Sequence, residues 1–285
     1  MAAAMPALDF IWGMTVLTST SRITPGPIMR AGPVTVALST DPDDIEAAQR
    51  LRYQVFAEED GFSDQIGDPT TGLDADSFDD HCEHLLVFHE DTGLIGCARL
   101  LPPAAAIAAG GWYSATEFDL YELEPIRAET VEMGRACVAT AHRDGSVTAL
   151  MWAALLHYLE NADYQYLMGC VSVPLSGAGE RGQALRGVRD LARDRHQAPW
   201  QAFPLERARI DGRTLDEIEP PAVAVLPPLL RGYIRLGARV CGEPAVDEIF
   251  DVGDLLTVVD RTLTDIRYLE RLRAAVRRLG GQADR

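Results

Sequence analysis

Between Val131 and Trp152 the chain reads VEMGRACVATAHRDGSVTALMW. Glu132 is a candidate proton acceptor and Arg135 a candidate anion holder, yet their small and β-branched neighbours mark a buried strand. A buried acid or guanidinium is expensive unless it is paired and hydrogen-bonded. Three positions apart in a regular strand, the two side chains face opposite ways. A bulge at Gly134 would turn both toward one site, and bulges gather at active sites. After the strand, His142 to Ser146 forms a turn into an apolar helix, whose first free N–H groups attract an anion such as phosphate. Backbone N–H groups at Cys137 and Val138 would polarise a carbonyl, and Arg143, Gly145 and Ser146 would hold a phosphate. A base, a guanidinium, strand amides and an anion cradle are the parts needed to move an acyl group from a phosphopantetheine thioester to an amine.

The elements that must position these groups follow from hydrophobic periodicity. Val34 to Leu38 reads as a first strand. Asp41 then caps the helix IEAAQRLRYQVFAEE. After a long acidic loop, HLLVFHE and LIGCARLL read as a hairpin across the turn Asp91-Thr92-Gly93. The Glu132 strand, a helix from Ser146 to Glu160 and the strand YQYLMGCVSV come next. A helix from Glu180 to His196 lies in a Gly-, Pro- and Arg-rich insertion over 176–224. LPPLLRGYIRLG reads as a helix, ARVCGEPAVDEIFDVGDLLTVVD as closing strands and ERLRAAVRRLG as an amphipathic tail. This order predicts a mixed α/β (α+β) domain with a mostly antiparallel central sheet flanked by helices. The expected organisation is an extension over 1–32, one domain over 33–262 and a helical tail over 263–285.

Composition sets the limits. The net charge of −17 over 285 residues argues against nucleic acid as a partner. Five cysteines without any C-x-x-C suit reduced thiols in a cytoplasmic protein. Cys137 reads as a core thiol more readily than as a nucleophile. No apolar run reaches the ~18 residues of a membrane span. GAGERG (177–182) fits a dinucleotide fingerprint but lacks the strand and acidic residue that should follow it. DDHCEH (79–84) has no second Cys/His pair at zinc spacing, so no metal site is expected.

A family resemblance is then visible. RYQVFAEE, DDHCEHLLV, GCARLL, WYSATEFDL, VEMGRACV, HRDG, ALLHYL, YLMGC and LPPLLRGYIRLGARV resemble, in that order, the bacterial ornithine-lipid N-acyltransferases. These are GNAT-fold enzymes that pass a 3-hydroxyacyl chain from acyl carrier protein to the α-amine of ornithine. The likeness runs from Val34 to about Asp260. More distantly the chain is similar to acyl-homoserine-lactone synthases, with Arg52, Phe56, Asp76, Arg99, Phe118, Glu132 and Arg135 at matching positions. The resemblance implies a GNAT-like fold and a site in which Arg52, Phe56, Asp76, Arg99 and Phe118 bind substrate. It also implies an acyl-phosphopantetheine donor, an amino-acid acceptor and no tightly bound cofactor. A fatty product implies contact with a membrane surface. The turn Arg143-Asp-Gly-Ser-Val-Thr departs from the glycine spacing of a coenzyme A loop, which fits a carrier-protein donor. GCVSVPLSGAGERG replaces the family's short Ser-Phe-x-Gly segment, which bears on the acceptor.

Several roles stay open at this level. Glu132 is either the base that deprotonates the amine or an acid that pairs with an arginine to hold its strand. Arg52 and Arg99 either bind the acceptor's carboxylate or clamp the acidic loop through Asp74, Asp76 or Asp79. Arg181, Arg186, Arg189, Arg193 and Arg195 either dock an acidic carrier protein or pair within their own helix. LIGCARLLPPAAAIAAG either lines the acyl chain's path or packs the core. The competing functions are an acetyl-coenzyme A-dependent N-acetyltransferase and a non-catalytic module that binds an acyl group or its carrier.

Overall fold

A computed structural model describes residues 15–16, 25–59, 66–177 and 179–279. The chain begins with the short strand β1 (Thr15–Val16), β2 (Gly26–Ala31), β3 (Val34–Ser39) and the helix α1 (Pro42–Tyr53). The side chain of Asp41 accepts the N–H of Asp43, and Pro42 opens the first turn, as a helix start requires. The hairpin of β4 (Glu83–His89) and β5 (Gly93–Leu101), the short helix α2 (Pro103–Ala108) and β6 (Phe118–Asp119) follow. Next are β7 (Thr130–Val138), α3 (Ser146–Asn161), β8 (Tyr166–Pro174), α4 (Gln183–Arg195), β9 (Gln197–Pro204), β10 (Arg209–Ile210) and β11 (Arg213–Thr214). The last elements are α5 (Pro228–Arg235), β12 (Arg239–Gly242), β13 (Ala245–Asp247), β14 (Val252–Asp260) and α6 (Ile266–Leu279).

One sheet runs β1-β2-β3-β4-β5-β7-β8-β14-β12-β9-β6, with β13 paired to β14. Its contacts are antiparallel except at β7–β8 and β12–β9. Both faces are covered, which explains the unbroken apolar runs in its central strands. Leu85 and Val87 pack with α3, whereas Leu86 between them packs with Ala48, Leu51 and Val55 beneath α1. The helix α3 is buried almost all round, because Leu272 and Val276 of α6 cover its outer side.

The mixed, mostly antiparallel sheet expected from the sequence is present. Residues 26–31, expected in an extension, form a strand paired to β3, because Ile28, Met29 and Ala31 belong in the core. The rest of that extension, apart from Thr15, Val16 and residues 25–32, lies outside the described residues. Much of the 176–224 segment is built into the body of the protein: Leu185 and Val188 of α4 join the main core, and β9 pairs with β12. Among the described residues no helix is long and apolar enough to cross a membrane.

Candidate active site

The bulge anticipated at Gly134 lies one step further on. Gly134 stands opposite Arg99 and Cys137 opposite Cys97, so β7 carries one extra residue between those rungs. Arg135 absorbs it at φ +50°, a left-handed conformation that costs an arginine roughly 1–2 kcal/mol. The kink brings Glu132 and Arg135 to the same cavity of about 360 Å³, which Phe56, Arg99, Tyr113 and Glu117 also line.

Immediately after Glu132, β7 and β8 part. Their parallel pairing covers only Thr130–Glu132 against Tyr166–Met168. Gly169 sits at the fork, where a Cβ would lie 2.4 Å from the Met133 carbonyl oxygen. The N–H of Ala139 donates to Ile95 on the β5 side. By strand alternation the N–H of Val138 therefore points the other way, toward the edge that β8 has left. The same alternation directs the Cys137 N–H to β5. Its thiol is buried 3.6 Å from that of Cys97, so Cys137 is not available as an oxyanion donor.

Glu132 is 4% exposed and held by three donors. The Tyr113 N–H reaches Oε2 at 2.6 Å, while the Ser114 N–H reaches Oε1 at 2.7 Å and the Ser114 hydroxyl binds that same oxygen. Burial pushes its carboxyl above the ordinary range against the pull of these hydrogen bonds. The acid thus fixes the Tyr113–Ser114 turn over the cavity. The Tyr113 ring is bracketed by Arg99 at 5.4 Å and Arg135 at 5.2 Å, a double cation–π contact.

Behind this wall three arginines meet three aspartates. Arg52 binds Asp74 at 3.0 Å and Asp79 at 2.8 Å. Arg99 binds Asp76 at 2.6 Å and Asp79 at 3.1 Å. Arg135 approaches Asp74 at 3.2 Å and Asp76 at 3.6 Å. Burial alone would raise the Asp79 carboxyl, but the guanidinium groups of Arg52 and Arg99 hold it well below its usual range. Of the two roles open for Arg52 and Arg99, clamping the acidic loop is the one these contacts perform. Arg52 is 1% exposed and lies outside the cavity wall. Asp76 likewise faces the arginines and not the cavity. Phe118 is 1% exposed and packed in the core, because its neighbour Glu117 takes the cavity side.

The phosphate cradle is also altered. Gly145 caps α3 at φ +90°, but the Ser146 N–H and hydroxyl both bind Asp144 Oδ1. These bonds lower the Asp144 carboxyl, so the turn carries an anion of its own. Arg143 donates to the Val138 carbonyl at 2.8 Å. Arg143, Gly145 and Ser146 lie beyond the cavity, at the far end of β7. Arg181, just before α4, pairs with Asp211 and Asp251, and each of the named arginines on α4 has an acidic partner: Arg186 with Asp190, Arg189 with Asp216 and Glu243, Arg193 with Asp190, Arg195 with Asp194. Arg186, Arg193 and Arg195 pair within their own helix, whereas Arg181 and Arg189 reach acids of other segments. Of LIGCARLLPPAAAIAAG, Arg99 and Leu101 face the cavity.

Three acids in the cavity went unnoticed in the sequence. Glu117 Oε2 is buried without a hydrogen-bond partner. Burial and the nearby charges of Asp254 and Asp247 push this carboxyl to about 7. Asp254 on β14 is 6% exposed, bonded by the Ser172 hydroxyl at 2.6 Å, and raised by burial. An acid beside the buried run LLTVV was the available signal.

The chain's residues 51–153 match the family model described as an acetyltransferase (GNAT) domain. It is 34% identical to an L-ornithine N(alpha)-acyltransferase of Rhizobium meliloti, across 81% of each chain. It is 31% identical to the corresponding enzyme of Brucella abortus, across 84% of this chain and 89% of that one. A solved coenzyme A-dependent acyl-homoserine lactone synthase is similar at a TM-score of 0.48 and 16% identity, covering 82% of this chain and 83% of its own. The chain is an N-acyltransferase and belongs to the family of L-ornithine N(alpha)-acyltransferases.

Proposed function

We propose that this protein transfers a long acyl chain from an acyl carrier protein thioester to the α-amine of ornithine or a close analogue. The observation that carries the reading is Glu117 Oε2, a buried carboxylate oxygen without a partner in the wall of the cavity. An amino acid's α-amine is largely an ammonium at neutral pH, and a carboxyl balanced near 7 is suited to take its proton. The freed amine attacks the thioester carbonyl carbon, forming the C–N bond. The oxyanion is held by a backbone N–H on the edge where β7 and β8 part, in the stretch from the cavity-lining Ala136 to Val138. Collapse restores the carbonyl, breaks the C–S bond and expels the pantetheine thiolate. That thiolate takes a proton from the nitrogen, and Glu117 returns the first proton to solvent.

In this scheme Glu132 is a positioning residue: it holds the turn that leads to Glu117. Arg135, on the cavity wall, receives the acceptor's carboxylate. Asp144 at the start of α3 would repel the pyrophosphate of coenzyme A more than the single phosphodiester of a carrier-bound pantetheine, which supports the carrier-protein donor. Five free cysteines support a reducing, cytoplasmic setting. The fatty product then passes to a membrane surface.

Expression in a bacterial host that makes no ornithine lipid, followed by mass spectrometry of its lipids, tests the proposal. N-acylated ornithine appearing only with the active protein is expected. Its absence, with N-acetylated amines in its place, would refute the donor assignment.

A further inference from the structure

Besides Glu132, the wall of the cavity presents three carboxyl groups, more than one α-ammonium can engage. Glu117 precedes β6, Asp247 ends β13 and Asp254 lies on β14, and all three line the cavity. Among the described residues none of the three makes a salt bridge, whereas Asp74, Asp76 and Asp79 behind Tyr113 are each matched by arginines. Asp254 is 6% exposed, and its one hydrogen bond comes from a neutral hydroxyl, Ser172. Asp247 Oδ1 is occupied by the N–H groups of Ile249 and Phe250, which aim the side chain. Arg135 borders the same cavity and offsets part of this charge, but it is itself paired to Asp74 and Asp76. Burying the remaining like charges is unfavourable, so a wall of this kind stores affinity for a cation. Among the described residues no group of three His, Cys, Asp or Glu could hold a metal ion. An organic ammonium spans a broader wall than a metal does.

We infer that Asp254, with Asp247 beside it, forms a subsite for a second ammonium on the acceptor, so that the enzyme selects diamino acids over amino acids with a neutral side chain. This rests on the proposed reaction and deepens it. With Glu117 assigned to the reacting amine, two carboxylates remain for the far end of the side chain. Arg135 borders the same cavity and answers the carboxylate. The acceptor is thereby read by charge at three points: negative at Arg135, positive at Glu117, positive at Asp254. An uncharged side chain would leave Asp254 buried and unpaired, which is a strong basis for rejection.

Calorimetric binding of ornithine and of norvaline, its analogue without the δ-amine, tests the subsite independently of turnover. The unmodified protein is expected to prefer ornithine by roughly 10- to 150-fold, the range for a hydrogen-bonded charge pair. In Asp254→Asn that preference should collapse to within about threefold of unity, well below the same range. Asp247→Asn, at a less buried position, should reduce it in part and keeps the test available if Asp254→Asn does not fold. Equal binding of the two ligands by the unmodified protein, or an undiminished preference in both variants, overturns the inference. A protein that binds ornithine selectively yet acylates no amine would refute the proposed reaction and leave the subsite standing.

Discussion

Ser114 is joined twice to Glu132, its backbone N–H and its hydroxyl both donating to the same carboxylate oxygen, Oε1. Tyr113 holds the other oxygen. The carboxylate therefore acts as a clasp between the middle of β7 and the turn before β6. Glu132→Gln would set an amide NH₂ against at least one of these N–H donors. Urea unfolding should show a loss of about 2 kcal/mol, the scale of a hydrogen bond to a charged group. Turnover should fall at least tenfold, within the range of a misplaced catalytic group. Ser114→Ala should lower both quantities in the same direction by a smaller amount. An inactive Glu132→Gln beside a fully active Ser114→Ala would mean that Glu132 is the base itself.

Glu117 sets the pH dependence. Its carboxyl is pushed to about 7 and must be ionised to accept a proton. Activity should therefore rise through a step near pH 7, and Glu117→Gln should erase that step and cost roughly 10²- to 10⁴-fold in kcat. Stability runs the opposite way. A carboxyl raised in the folded state stabilises the protein fully below the ordinary carboxylate range and loses that contribution as pH rises through about 7. Thermal unfolding at pH 8.5 should find Glu117→Gln more stable than the unmodified protein, with most of the advantage lost at pH 5.

The fold and half of this site can be read from residues alone. The runs LLV and LLTVV, apolar on both faces, announce central strands, and Asp41-Pro42 announces α1. An acid and a guanidinium in VEMGRACV signal a kinked strand, although no rule of spacing places the positive φ on Arg135 and not on Gly134. The cavity acids are harder to see because they meet only through tertiary pairing. Glu117 and Asp254 are far apart in the chain: β14 pairs with β8 and carries Asp254, β13 folds back on β14 and adds Asp247, and the Tyr113–Ser114 turn held by Glu132 brings Glu117 to the same cavity. Asp144 shows the reverse case: an acid inside an apparent phosphate turn satisfies the N–H that a phosphate would have used.

The buried clamp makes Arg52 a stability residue. Arg52→Ala would strand Asp74 and Asp79 without their main counter-charge at 7% and 3% side-chain exposure. Breaking a buried pair from one side costs about 3–5 kcal/mol. Urea denaturation should register that loss, together with weakened order at Arg99 and Arg135, which share the same aspartates.

Asp144 makes a gentler prediction. Asn at this position can still accept from the Ser146 N–H and hydroxyl but removes a negative charge from beside the helix start. The KM for an acyl carrier thioester should fall about 2- to 5-fold, the scale of one charge at a helix terminus, and kcat should hold. An unchanged KM would place the donor's phosphate elsewhere.

The most direct test supplies the purified protein with a 3-hydroxyacyl carrier-protein thioester and ornithine, and follows thiol release and the acylated product together by mass spectrometry. Equal amounts of free carrier thiol and Nα-acylornithine, with the δ-amine untouched, are the predicted result. Thiol released by hydrolysis alone, or an acyl group carried on the δ-amine, would contradict the account.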